Sequence, residues 1–83
     1  MSLWCEYDLG GEPLYSIKWY KDQEEFYRYL PKEDPPRLSF EVPGTEVDLN
    51  LSDSKLVHLL NISLETAGLY QCEVSSYNTN ILL

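Results

Sequence analysis

Apolar and polar side chains alternate along most of this 83-residue chain, a period-2 pattern that predicts half-buried β-strands. In the first segment, Leu3, Cys5 and Tyr7 share one side of the extended backbone, and Trp4 and Glu6 share the other. Glycine and proline residues mark a turn before the next segment. No segment keeps the 3.6-residue period of an amphipathic helix. The pattern therefore predicts an all-β domain.

The second predicted strand carries a tryptophan on its inward side. The residues expected to face the core are Tyr15, Ile17 and Trp19. The residues expected to face outward are Ser16, Lys18 and Tyr20. Trp19 thus points in the same direction as Cys5, which places an indole near a thiol.

A third short strand is predicted over residues 26–30, before a proline-rich loop. In this strand Phe26, Arg28 and Leu30 alternate with Tyr27 and Tyr29. We expect the two tyrosines to face outward, beside Tyr20. The loop over 31–37 has three prolines, which lack the N–H groups that the centre of a sheet requires.

The second half of the chain predicts three more strands. One has Val47, Leu49 and Leu51 on its inward side, and the next runs from Val57 through Leu59 to Ile62. In the last strand the inward residues are Tyr70, Cys72 and Val74, and the outward residues are Gln71, Glu73 and Ser75.

The order of cysteine, tryptophan and cysteine on these strands predicts a particular fold. Six short strands with turns at about 8–12-residue spacing favour a two-sheet sandwich of the immunoglobulin type, and the extra third strand favours its variable-type (V-type) form. Cys5 and Cys72 then lie on facing sheets and form a disulfide that Trp19 covers. Tyr70, two residues before Cys72, suits the tyrosine corner of such domains.

The cysteines and the net charge limit where the protein acts. A disulfide enclosing almost the entire chain stabilises a domain this small by about 4 kcal/mol, and it indicates an oxidising, extracellular compartment. The formal net charge is −8, so nucleic acid and anionic membranes would both repel the chain. We expect neither a signal peptide nor a transmembrane segment within these residues.

The sequence carries no recognisable catalytic or metal-binding constellation. The single histidine, His58, lies among leucines in a predicted strand, where a structural role is far more common than metal ligation. Adjacent acidic residues such as Glu24 and Glu25 do not converge in a strand or a solvated loop. We therefore expect no enzyme activity, no small-molecule substrate, no metal and no cofactor.

Three segments resemble a specific family: "LYSIKWYK", "EFYRYLP" and "GLYQCEVS". Over residues 3–77 the chain is similar to the first immunoglobulin domain of the Beaten path (Beat) family of arthropod neuronal proteins. The resemblance implies heterophilic cell adhesion and axon guidance, with a Sidestep-family immunoglobulin receptor as the protein partner. It also implies a parent protein that is secreted or tethered to the plasma membrane.

The chain departs from the family pattern in three places. Thr66 stands where V-type domains usually have an aspartate, so the salt bridge of that aspartate is expected to be absent. We expect no A strand before Leu3, and we expect residues 78–83 to be a truncated tail of the loop between strands F and G. The expected domain, 3–77, is thus a V-type β-sandwich that lacks its A and G edge strands.

The outward side chains of the second, third and last strands form the predicted partner-binding surface. They are Lys18, Tyr20, Tyr27, Tyr29, Gln71, Glu73 and Ser75. Tyrosine is enriched at interface centres, although aromatic residues also suit strands for packing reasons alone. Two sequons place possible glycans at Asn50 and Asn61, away from this surface. The alternative hypotheses are a non-binding structural spacer and a truncated fragment without independent activity.

Overall fold

A computed structural model describes all 83 residues and shows eight β-strands with two short 3₁₀ turns. The strands are β1 (Ser2–Trp4), β2 (Leu14–Lys21), β3 (Glu24–Tyr29), β4 (Arg37–Ser39), β5 (Glu46–Val47), β6 (Leu56–Leu60), β7 (Tyr70–Ser76) and β8 (Asn80–Leu82). The turns span Leu49–Leu51 and Leu64–Thr66. The all-β prediction is confirmed.

The strands form two antiparallel sheets that pack face to face around one core. The smaller sheet has the order β1-β6-β5, and the larger has the order β4-β3-β2-β7-β8. In V-type immunoglobulin domains two extra strands extend the sheet that holds the last strands, and β3 with β4 occupy those positions here. The predicted immunoglobulin-like sandwich is confirmed.

The disulfide joins the two sheets at the centre of the core. Cys5 follows β1 and Cys72 lies in β7, with a Cα–Cα distance of 6.1 Å. Trp19 of β2 is the direct cross-strand partner of Cys72, and its side chain is buried. Val57 and Leu59 of β6 complete the facing layer and are fully buried as well. The predicted disulfide beneath a buried tryptophan is confirmed.

Tyr70 occupies the corner where the chain enters β7. Its ring packs edge-on against Phe26 at a centroid distance of 5.7 Å, and its hydroxyl donates a hydrogen bond to the Thr66 carbonyl oxygen. This is the geometry of a tyrosine corner. Thr66 itself is buried, and its hydroxyl accepts a hydrogen bond from the Ser63 N–H. A short polar contact therefore occupies the position where an aspartate would form its salt bridge.

The expectation of a missing G strand is wrong. Asn80–Leu82 forms β8, which pairs with β7 where a G strand lies, and Leu83 exchanges backbone hydrogen bonds with Cys72. The connection takes only residues 77–79, because the Ser76 hydroxyl accepts hydrogen bonds from the two N–H groups of Asn78 and Thr79. Residues 78–83 are therefore a tight turn and a strand and not a loop tail.

The strand expected over 47–52 is also largely absent. β5 ends at Val47, and a 3₁₀ turn follows because the Asp48 carboxylate accepts a hydrogen bond from the Asn50 N–H. The turn leaves Leu51 more than half exposed, instead of on the inward side. The alternating pattern at these residues therefore did not indicate a continuous strand.

Candidate binding face of the five-stranded sheet

The outward side of the five-stranded sheet, called the front face below, is a broad surface crossed by aligned side chains. One row crosses all five strands, since each residue is the cross-strand partner of the next. In order from β4 to β8 the row is Leu38, Arg28, Lys18, Glu73 and Leu82. It places charged groups in the middle of the face and exposed leucines at both edges.

Two of the predicted binding residues lie inside the protein. Tyr27 is fully buried opposite Trp19, and its hydroxyl donates a 3.1 Å hydrogen bond to the Asp53 carbonyl oxygen. Tyr29 is opposite Ile17 and packs, half-buried, against the core. The expectation that these tyrosines form part of the front face is wrong.

A β-bulge at Phe26 explains the reversal. Trp19 pairs with Tyr27 but the next residue, Tyr20, pairs with Glu25, so Phe26 is the extra residue in β3. Phe26 and Tyr27 are consecutive and yet both are fully buried. Simple alternation from Phe26 therefore gives the wrong side for every later residue of β3.

A second irregularity moves Tyr15 out of the core. Leu14 pairs with Ser76 and Ser16 with Ser75, which leaves Tyr15 as the extra residue in β2. Tyr15 was expected to face inward, but 48% of it is exposed. Its ring contacts Tyr77 edge-on at 5.2 Å. Ser16, expected to face solvent, is buried instead.

The other five predicted binding residues lie on the front face. They are Lys18, Tyr20, Gln71, Glu73 and Ser75, all half-buried. The Tyr20 hydroxyl donates a 2.7 Å hydrogen bond to a Glu73 carboxylate oxygen across the β2–β7 pair. Burial, this bond and the Glu73 charge raise the pKa of Tyr20 to about 12. Tyr20 therefore carries a neutral hydroxyl that is hydrogen-bonded to Glu73.

Arg28 lies on the front face, although alternation along β3 predicts an inward position for it. Its Nε and Nη2 atoms donate hydrogen bonds of 2.7 and 2.9 Å to the two carboxylate oxygens of Glu25. The hydrogen bond to Glu25 raises the pKa of Arg28. The guanidinium also lies over the Phe40 ring, 5.4 Å from its centroid. Arginine is seldom fully buried. An arginine at a position predicted to face inward was therefore a sign, available in the sequence, that the two sides of β3 had been interchanged.

Charge is distributed unevenly between the front face and the rest of the protein. The centre of the face has two cations, Lys18 and Arg28, and two carboxylates, Glu25 and Glu73. The whole chain has a formal net charge of −8. The acidic excess therefore lies away from the centre of the front face.

The two sequon asparagines are exposed and lie off the front face. Asn50 is in the 3₁₀ turn between β5 and β6. Asn61 follows β6 with a φ of 49°, and its side-chain amide donates a hydrogen bond to Glu46. Both side chains are accessible to a glycan, while their occupancy stays a prediction.

The polar groups outside the front face include the single histidine and the lining of one open groove. No group of three or more His, Cys, Asp or Glu side chains is arranged to hold a metal ion. His58 Nδ1 lies 2.8 Å from the Ser2 hydroxyl on the outside of the smaller sheet. The largest concavity is an open groove of about 680 Å³ along residues 39–47, lined mostly by polar side chains. No helix has the length and the apolar character needed to cross a bilayer.

Comparison with known protein families agrees with this architecture. Residues 1–81 match the family of immunoglobulin domains. The chain belongs to the immunoglobulin domain family. Immunoglobulin domains are typically non-enzymatic modules that mediate protein–protein interactions, and with its disulfide this one fits an extracellular protein. No curated protein matches the sequence. Membership of the Beaten path family therefore stays a hypothesis.

Proposed function

We propose that this immunoglobulin domain is an extracellular recognition module that binds a different protein through its front face. The observation that carries the proposal is the combination of rigid aromatic and arginine side chains on a charge-balanced surface. Tyr20 is fixed by Glu73, and Arg28 is fixed by Glu25 and Phe40. Side chains that are already ordered lose little entropy on binding, and Tyr and Arg are the types enriched in binding hot spots.

The apolar edge of the front face supports the same proposal. Leu38 and Phe40 are each 39% exposed beside the Arg28 guanidinium. Buried interface centres combine apolar area with a few ordered polar groups, and this edge has both. The binding surface that we propose keeps the five predicted residues that lie on the front face: Lys18, Tyr20, Gln71, Glu73 and Ser75. It also includes Arg28, Leu38 and Phe40. Tyr27 and Tyr29 are not part of it.

The resemblance to the Beaten path family gives the proposal a biological setting. We propose a role in cell adhesion and axon guidance, with a Sidestep-family immunoglobulin receptor as the partner. The parent protein would be secreted or tethered to the plasma membrane, with glycans at Asn50 and Asn61. In this setting the glycans would leave the front face free, since both asparagines lie elsewhere.

A binding screen tests the proposed function. The domain, produced with its disulfide in a secretory host, is presented as an oligomer to a panel of immunoglobulin ectodomains that includes Sidestep-type receptors. We expect saturable binding to at least one ectodomain. If the domain binds none of them, the function is wrong and the structural-spacer hypothesis gains support.

Substitutions on opposite faces test the assignment of the surface. We expect Tyr20→Ala and Phe40→Ala each to weaken binding by about 10-fold or more, as truncation of a hot-spot residue does. Trp4→Ala is the matched control, because Trp4 is 62% exposed on the outside of the smaller sheet. Binding that depends on Trp4 and not on Tyr20 or Phe40 would place the interface on the opposite side.

A further inference from the structure

The charged groups at the centre of the front face are not equally neutralised. Lys18 lies between Arg28 on β3 and Glu73 on β7 as their direct cross-strand partner. Arg28 has a bidentate partner in Glu25, and Glu73 accepts the Tyr20 hydrogen bond. The chain has two salt bridges, Lys21–Asp22 and Arg28–Glu25, and neither includes Lys18. The Lys18 ammonium is therefore the cation of this row that has no ion-pair partner.

The position of Lys18 limits what can cover the front face. Two cations directly opposite each other on neighbouring strands repel, and water screens that repulsion while the face is open. A protein partner removes the water, and burial of an unpaired ammonium is then strongly unfavourable. Glu73, opposite Lys18, is engaged by the Tyr20 hydroxyl and forms no salt bridge with Lys18, so we expect a tight partner to bring a negative group to Lys18.

We propose that the partner places an Asp or Glu carboxylate between Lys18 and Arg28, with an apolar side chain beside it on Leu38 and Phe40. This inference rests on the proposed function and specifies the chemistry of its partner. Arg28 is held in place by Glu25 and Phe40, and its remaining N–H groups are free to donate to an incoming oxygen. Lys18 supplies the second cation from the adjacent strand.

The charge around this row determines the rest of the complementary surface. Acidic residues outside the centre of the front face include Asp22, in the turn between β2 and β3, and Glu24, the first residue of β3. A partner that carries a carboxylate at its centre is therefore expected to carry basic residues around it, because the chain as a whole is strongly acidic. The basic residues of such a partner would be attracted to this acidic domain at long range. Its central carboxylate would be neutralised by Lys18 and Arg28 on contact.

Charge substitutions at Lys18 test the inference with the ectodomain that the screen selects. Lys18→Met keeps the aliphatic stem and removes the charge, and Lys18→Glu reverses it. Lys55→Glu is the matched control for Lys18→Glu, since both variants change the net charge of the domain by the same amount. Lys55 lies at the edge of β6 over the Tyr7 ring, at 3.9 Å from its centroid. Thermal unfolding of each variant verifies that the fold is retained.

We expect Lys18→Met to weaken binding by about 30-fold, and Lys18→Glu by more, as truncation of one partner of a buried charge pair does. Lys55→Glu should change the affinity by less than about 3-fold at physiological salt. If Lys18→Glu has no larger effect than Lys55→Glu while Tyr20→Ala still weakens binding, the carboxylate is refuted and the front-face function stands. If wild-type protein binds no ectodomain, the proposed function and this inference both fail.

Discussion

Tyr27 and Trp19 lie directly opposite each other on adjacent strands, and both side chains point into the core. Trp19 is in turn the cross-strand partner of Cys72, so Tyr27, Trp19 and Cys72 form one inward row across three strands. Fully buried aromatic side chains contribute large apolar areas in a domain of this size. Tyr27 is therefore part of what holds the two sheets together.

Substitution of Tyr27 tests its position in the core. We expect Tyr27→Ala to lower the free energy of unfolding by about 3–5 kcal/mol, because it leaves a cavity between the sheets. Tyr27→Phe loses only the hydrogen bond to the Asp53 carbonyl oxygen, at a cost of about 1 kcal/mol. Urea unfolding measures both values. Tyr15→Ala, at a tyrosine that is about half exposed, serves as the control, and an equal loss in Tyr15→Ala and Tyr27→Ala would contradict the assignment.

Removal of the disulfide tests how much of the stability it supplies. Cys5 and Cys72 are separated by 67 positions, and closure of a loop of this length restricts the unfolded chain by about 4 kcal/mol. We expect the Cys5→Ala, Cys72→Ala double variant to be largely unfolded at room temperature, because small domains have little stability to spare. Circular dichroism of the variant and of the reduced wild type measures the effect. A cooperative transition at the wild-type temperature would contradict this prediction.

Titration of Tyr20 tests its contact with Glu73. The pKa of Tyr20 in the folded state is about 12, above its ordinary value of 10.0, so folding favours the neutral phenol. Its contribution to stability is complete below pH 10 and is lost as the pH rises from about 10 to about 12. We expect Tyr20→Phe to lose less stability than the wild type between about pH 10 and about pH 12.

Ultraviolet titration of tyrosinate provides the direct readout for Tyr20. Burial is the largest cause of the raised pKa, and the hydrogen bond to Glu73 and the Glu73 charge are the next. Glu73→Gln should therefore lower the pKa of Tyr20 without returning it to the ordinary value. An unchanged titration in Glu73→Gln would show that the two side chains do not interact in solution.

Two glycines with positive φ differ sharply in what surrounds them. A Cβ at Gly44, where φ is +84°, would lie 2.2 Å from the backbone oxygen of Glu65, whereas a Cβ at Gly10, where φ is +61°, meets nothing within 4 Å. We expect Gly10→Ala to cost about 1 kcal/mol of stability from backbone strain alone. Gly44→Ala should cost about 3 kcal/mol or more, because two backbone segments must also separate. Thermal or urea unfolding compares the two, and similar losses would contradict the close approach at Gly44.

The predicted side of each strand was correct only where no extra residue interrupts the pairing. Lys18, Gln71 and Glu73 face outward as alternation predicted, because β2 and β7 pair regularly over these residues. Tyr15 and Phe26 are the extra residues of two bulges: the first moves Tyr15 itself to the side opposite to the predicted one, and the second moves both Tyr27 and Tyr29. The consecutive aromatic pair at Phe26 and Tyr27 and the supposedly inward Arg28 were local signs of such a reversal.

The sequence by itself determined the class of the fold and its central bond. Period-2 alternation, turn residues and the order Cys5, Trp19, Cys72 are local or compositional features, and they are sufficient to predict two sheets joined by a covered disulfide. The tertiary structure alone decided which tyrosines lie on the front face and whether a last strand exists. A bulge and a tight turn are fixed by the pairing of backbone groups from distant parts of the chain, and a one-residue offset in that pairing reverses the direction of every side chain beyond it.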